Sequence, residues 1–148
     1  MTDLIVGICT FRRPSVIETI KSVDAQTGRR ADWIIVVDND DMPTAQQSVE
    51  ALSLKTPITY IHAPGRNISI ARNACLEAAG PCHFAFLDDD ETASPEWLTA
   101  MVDAMTQGHQ AVFGPVIALY PEDSPPWMEQ VSPHSQYPLP ALKELVTG

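Results

Sequence analysis

Four short apolar runs, spaced by segments of helical pattern, constrain this chain most. Leu4–Cys9 (LIVGIC), Trp33–Val37 (WIIVV) and Phe84–Leu87 (FAFL) are continuously apolar, and Ile58–Ile61 is a fourth run. A strand with one wet face alternates in polarity. One that stays apolar throughout is covered on both faces, as in parallel sheets layered between helices. The intervening segments supply the helices. Pro14 fits a first helical turn, and Val16, Ile17, Ile20 and Val23 keep helical spacing to about Gln26. Pro43 opens a second helix with Ala45, Val49 and Leu52 on its apolar face. Asn67 or Ser69 can cap a third, kept slender by Ala71, Ala74, Cys75 and Ala78 and stopped at Gly80-Pro81. Ser94-Pro95-Glu96 starts a fourth, with Leu98, Met101, Val102 and Met105 inward and Gly108 at its end. Ala111–Tyr120 is predicted as a fifth strand, interrupted by Gly114-Pro115. The fold class is therefore α/β, a mostly parallel sheet flanked by helices.

Length and composition bound the rest. A chain of 148 residues suits one compact domain. No apolar run approaches the roughly 20 residues that span a bilayer, and the N-terminus has no basic-then-apolar leader. A soluble, cytoplasmic protein is expected. Cys9, Cys75 and Cys82 are too few for a disulfide framework and read as small buried thiols. The formal net charge of −10 argues against nucleic acid as a partner. Its distribution is uneven. Residues 1–73 hold eight acids and eight bases, whereas residues 74–142 hold ten acids and no Lys or Arg. An Arg-bearing half joined to an acid-only half suits an anionic ligand held with a divalent cation, or else a solvated acidic surface.

Open parallel sheets bind ligands at the carboxyl ends of their strands. Three such ends carry unusual polar residues: Thr10–Arg13, Asp38–Asp41 and Asp88–Glu91. Four acids in a row cannot all face one low-dielectric site without a cation. On an extended segment Asp88 and Asp90 share a face while Asp89 turns aside. Two carboxylates on one face suit Mg²⁺ or Mn²⁺, which keep positions open for water and phosphate oxygens. The same cluster could instead cap the helix that follows.

The segment FAFLDDDETASPEWL resembles the metal-binding region of family 2 glycosyltransferases, inverting enzymes built on the Rossmann-like GT-A nucleotide-sugar fold. LIVGICTFRRP resembles that family's first strand and nucleotide loop, and WIIVVDND its second strand and aspartate. PGRNISIARNACLEAAG resembles its Ala-Arg-Asn helix, and QAVFGPV the strand beyond the metal motif. The likeness covers roughly residues 3–120, and its GRNISIARN and GPV variants point to the branch that builds bacterial surface polysaccharides. The resemblance implies that Asp88 and Asp90 form the Asp-x-Asp pair, with Asp90 the direct ligand of Mn²⁺ or Mg²⁺ and Asp88 nearer the ribose or a metal-bound water. It places Asp38 on the nucleoside, Thr10 and Arg13 on the nucleotide loop with Arg12 as a third, and Arg72 near the base or diphosphate. Asn39 stands where many members have a second aspartate.

The implied reaction moves a sugar from a nucleoside diphosphate donor, a UDP-sugar being favoured, to a saccharide or lipid-linked acceptor hydroxyl with inversion. Peripheral association with the inner face of the cell membrane would suit such an acceptor. That attack needs a general base. Glu122, Asp123 and Glu129 follow the preceding strand too closely to match the family's base, which is therefore expected beyond Gly148. Residues 1–121 are read as the nucleotide-sugar domain. Residues 122–148, rich in Pro, are read as an irregular tail opening a missing acceptor half. Two other readings stay open: a nucleotide-sugar-binding module without transfer, and a haloacid-dehalogenase-like phosphatase, since Asp88–Thr92 also satisfies Asp-x-Asp-x-Thr.

Overall fold

In a computed structural model, which describes residues 3–135, the chain runs β1 (Leu4–Thr10), α1 (Val16–Asp24), β2 (Trp33–Asp38), α2 (Gln46–Glu50), β3 (Ile58–His62), α3 (Ile68–Ala79), β4 (His83–Asp88), α4 (Trp97–Thr106) and α5 (Pro126–Val131). The four strands form one parallel sheet in the order β3-β2-β1-β4. Alternate residues of β1 face opposite layers. Leu4, Val6 and Ile8 pack with Val16, Ile20 and Val23 of α1, Val49 of α2 and Leu98 of α4. Ile5 packs on the other side with Ile35, Val37 and Ala71 and Cys75 of α3. Each fully buried Val or Ile contributes about 1.5–3 kcal/mol by leaving water. The run of β1 and most of that of β2 are thus apolar because both faces are covered, whereas β4 leaves Phe86 exposed.

The helices begin and end where local chemistry dictates. Asn67 caps α3, its side chain accepting from the Ser69 N–H at 2.9 Å, and Gly80 leaves the helix at φ 64°. Gln26 lies beyond the end of α1. Its buried amide donates to the Ser22 and Ser94 carbonyls and accepts from the Leu98 N–H, tying α1 to the start of α4. The second helix is shorter than its pattern predicts, one turn over Gln46–Glu50.

The predicted fifth strand does not form among the described residues. Ala111–Tyr120 lacks a ladder, with a lone bridge at Val116. Pro115 removes a donor and fixes its own φ in mid-run, which disfavours a central strand. Phe113, Ile117 and Leu119 are accordingly exposed. The expected irregular tail contains α5, opened by Pro126 in its first turn and ended by Ser132 in the left-handed region. The described residues gather into two compact units, one up to Asp103 and one from Ala104. Leu142 to Val146, expected as a helical turn, and Lys143 lie outside the described residues. No described helix is long and apolar enough to cross a membrane.

Candidate functional site

The strand order reverses at β1: β2 and β3 extend to one side of it, and β4 lies on the other. In open α/β sheets the crevice outside such a switch point, at the carboxyl ends, is where ligands bind. Here the register sets Cys9 beside Asp88 and Thr10 beside Asp38, so three polar turns emerge at one edge.

Between β1 and β4, Thr10 Oγ1 donates to Asp89 Oδ2 at 2.8 Å and the Phe11 N–H donates to the same oxygen at 3.3 Å. Arg13 Nε lies 3.6 Å from Asp89 Oδ1, and its Nη1 pairs with Asp90. Burial pushes the Asp89 carboxyl above its usual value, against the pull of Thr10, Phe11 and Arg13. Burial raises Glu91 as well. Asp88 and Asp90 point outward, their side chains 61% and 50% exposed. Asp89 and Asp90 form a turn and not an extended run, yet the predicted split of directions holds. Arg72, on α3, lies 3.6 Å from Asp88, with its guanidinium 5.6 Å over the Phe86 ring.

Between β1, β2 and β3 the turns are locked by side chains. Arg12, at φ 55°, donates to both Asp40 oxygens at 2.8 Å, and this guanidinium holds the Asp40 carboxyl below the usual range. Arg66 pairs with Asp41. Asn39 donates to the Ala63 carbonyl and accepts from the Asn67 N–H. Asp38 lies deeper. Expected on the nucleoside, its carboxylate is fully buried and accepts from the N–H groups of Asp40 and Ala45, the Thr44 hydroxyl and the Tyr60 hydroxyl. Oδ2 takes three of these donors and Oδ1 one, so Asp38 ties the β2–α2 turn to β3, and it is not among the residues that line the clefts at this edge. Burial and the Asp38 carboxylate push the Tyr60 phenol well above its ordinary value.

Two clefts open at this edge. One of about 320 Å³ is lined by Cys9, Thr10, Phe11, Arg13, Asn39, Arg66, Ile68 and Asp89. The other, about 540 Å³, is largely apolar, with Pro14, Val16, Ile17, Met42 and Ala45 beside Arg12, Arg13 and Asp40. Thr10 lines the smaller cleft and Arg13 borders both. Cys9 and Asp89 were not marked as site residues in the sequence. Cys9 Sγ lies 3.9 Å from Cys75 Sγ under the smaller cleft, a pairing that separations of 66 residues do not reveal. Among the described residues no three His, Cys, Asp or Glu side chains surround a common point. The donor chemistry nevertheless fits a hard divalent cation, which needs one or two carboxylates and takes the rest of its oxygens from water and phosphate. Asp88 and Asp90 are the exposed carboxylates that would supply them.

The arrangement is that of a GT-A nucleotide-sugar transferase fold. Two crystal structures of Staphylococcus aureus TarS 1–349 superpose with TM-scores of 0.59 and 0.58, the second in complex with UDP-GlcNAc. They are 19% and 20% identical over 71% of this chain and 32% and 31% of theirs. The profile of glycosyl transferase family 2 matches residues 5–145, and the chain belongs to that family. This membership sets the phosphatase reading aside. The succinoglycan biosynthesis protein ExoM of Rhizobium meliloti (strain 1021) is 45% identical over 97% of this chain and 48% of its own length. The glucosyl-dolichyl phosphate glucuronosyltransferase of Haloferax volcanii is 30% identical over 72% of this chain and 35% of its own. The chain therefore spans about half or less of the length of these curated relatives.

Proposed function

We propose that this chain carries the donor site of a glycosyltransferase that moves a sugar from a nucleoside diphosphate to an acceptor hydroxyl with inversion, in the synthesis of a surface polysaccharide. The observation that carries the reading is the pair of outward carboxylates, Asp88 and Asp90, flanking the inward Asp89 at the switch-point crevice, with Arg13 and Arg72 beside them. The UDP-GlcNAc complex of TarS supports a UDP-sugar donor, and the name of ExoM supports a polysaccharide product. Residues 1–121 would bind the nucleotide sugar, and residues 122–148 would begin the acceptor side.

In this reading Thr10 and Arg13 line the nucleotide, Arg72 forks to its phosphate oxygens, and Asp88 meets the ribose or a metal-bound water. Asp90 and Asp88 would hold Mn²⁺ or Mg²⁺, and the bound ion would supply Lewis-acid neutralisation of the diphosphate charge. Asp38 serves the nucleoside indirectly, by fixing the turn that carries Asn39 and Asp40. The acceptor hydroxyl attacks the anomeric carbon from the face opposite the diphosphate, and the base that takes its proton is expected outside the described residues. Action at the cytoplasmic face of the membrane follows from a lipid-linked acceptor.

Calorimetric titration of UDP and UDP-sugars in Mn²⁺ and in EDTA tests the reading. Binding should need the metal, and Asp90→Ala should weaken it at least tenfold, about 1.4 kcal/mol. Equal affinity in EDTA and Mn²⁺ would overturn it.

A further inference from the structure

Asp89 is the one buried acid of the 88–91 run, and its carboxylate is aimed at the β1–α1 loop. It is 9% exposed, and it receives three groups from residues 10, 11 and 13 of a single turn: a hydroxyl at 2.8 Å, a backbone N–H at 3.3 Å and a guanidinium at 3.6 Å. Desolvating a carboxylate is costly unless donors replace the lost water. A buried charge tied by three residues of one segment therefore fixes that segment. Its neighbours Asp88 and Asp90 stay exposed, so the turn that presents the outward carboxylates is the turn that grips the β1–α1 loop.

We infer that Asp89 is a positioning residue of the donor site: it anchors the Thr10–Arg13 loop to the β4 turn and sets Arg13 beside Asp90, without itself meeting metal or nucleotide. The inference rests on the donor-site reading above. Three consequences follow from the geometry. Variants of Asp89 weaken nucleotide binding but keep its dependence on metal, because the outward carboxylates remain. The effect of losing the Asp89 charge runs through Arg13, so it vanishes when Arg13 is already gone. The loop loosens even with no ligand present, because the tether is internal to the protein.

The experiment compares Asp89→Asn, Asp89→Ala, Arg13→Gln and the Arg13→Gln/Asp89→Asn pair. Asparagine still accepts from Thr10 and Phe11 but offers Arg13 no charge. UDP affinity in Mn²⁺ should fall about threefold to fivefold in Asp89→Asn and more than tenfold in Asp89→Ala. The ratio of affinities in Mn²⁺ and EDTA should stay at the parent's value, whereas Asp90→Ala collapses it. Adding Asp89→Asn to Arg13→Gln should change affinity by less than twofold. Parent-like affinity in both single Asp89 variants, loss of the metal dependence, or additivity in the double variant would each overturn the assignment. Amide exchange decides the tether without ligand. In Asp89→Ala, protection at residues 11–13 should drop at least tenfold while that of Val6–Ile8 is kept, and unchanged protection at 11–13 overturns it. If the parent fails to bind UDP, the donor-site reading falls, and amide exchange still decides whether Asp89 anchors the loop.

Discussion

Asp38 ends β2 and Asp90 lies in the turn just beyond β4, two aspartates at one edge of the sheet whose surroundings give them opposite duties. Four donors already occupy the Asp38 oxygens, and none of its surface reaches water. Removing it strands the N–H groups of Asp40 and Ala45 and the Tyr60 hydroxyl, each costing about 1–3 kcal/mol when left unpaired in the interior. Asp38→Ala should therefore lose more than about 3 kcal/mol in urea unfolding. Asp90→Ala, at an exposed position, should stay within about 0.5 kcal/mol of the parent. An Asp38→Ala protein as stable as the parent would free that carboxylate for a ligand after all. The two roles could not be told apart in the sequence. Strand-end position is visible there, but the donors that claim Asp38 include Tyr60, 22 residues away on another strand. The split between Asp88, Asp89 and Asp90 was legible in direction but not in cause, because Asp89 and Asp90 form a turn and the groups that hold Asp89 inward come from residues 10–13.

At the scale of elements, what reads directly is what one element settles alone. The four strands were visible because each is a short, largely apolar run between helical segments, and α3 because its cap, small residues and closing glycine are consecutive. The Ala111–Tyr120 run was misread because apolar content is not enough when Pro115 interrupts the ladder. Close packing of α3 on β1 depends on Gly7, where an added Cβ would run into the Phe84 ring and lie 3.3 Å from Cys75 Sγ. Gly7→Ala should cost about 1–3 kcal/mol through overpacking, measured by thermal melting. Because α3 carries Arg72, UDP affinity should fall as well. Asp24, the last residue of α1, supplies a pH-dependent link. Its partial burial opposes ionisation, but the N–H groups of Thr56 and Lys55 and the nearby Arg30 outweigh it and lower its pKa. A depressed carboxyl contributes stability above its unfolded value, about 3.9, and loses that contribution as pH falls through the lower folded value. Asp24→Ala should cost about 1–3 kcal/mol at neutral pH. The gap from the parent should narrow below the unfolded value, and a gap independent of pH would exclude the ionised carboxylate as the cause.

For the whole molecule, stability should be graded outward from the centre of the sheet. Among the described residues β1 and β2 have a strand on each side, whereas β3 and β4 have one neighbour apiece. Amides of Val6–Ile8 and Ile35–Val37 should exchange only on global unfolding, and those of Ile58–His62 at least tenfold faster, as local opening begins at the margins. Uniform protection would contradict this. The central strand has one more consequence. Its pairing with β2 sets Thr10 level with Asp38, and its pairing with β4 sets Cys9 level with Asp88. β1 therefore works as a ruler for both halves of the site, and a ruler does not tolerate a changed length. One residue inserted between Ile5 and Ile8 would exchange the layers that its later side chains meet and carry Thr10 away from Asp89. The same insertion at residues 27–32 or 51–57, at the opposite edge, would leave every strand end where it is. Length differences among homologous chains should accordingly collect in those loops, with the count from Leu4 to Thr10 held fixed.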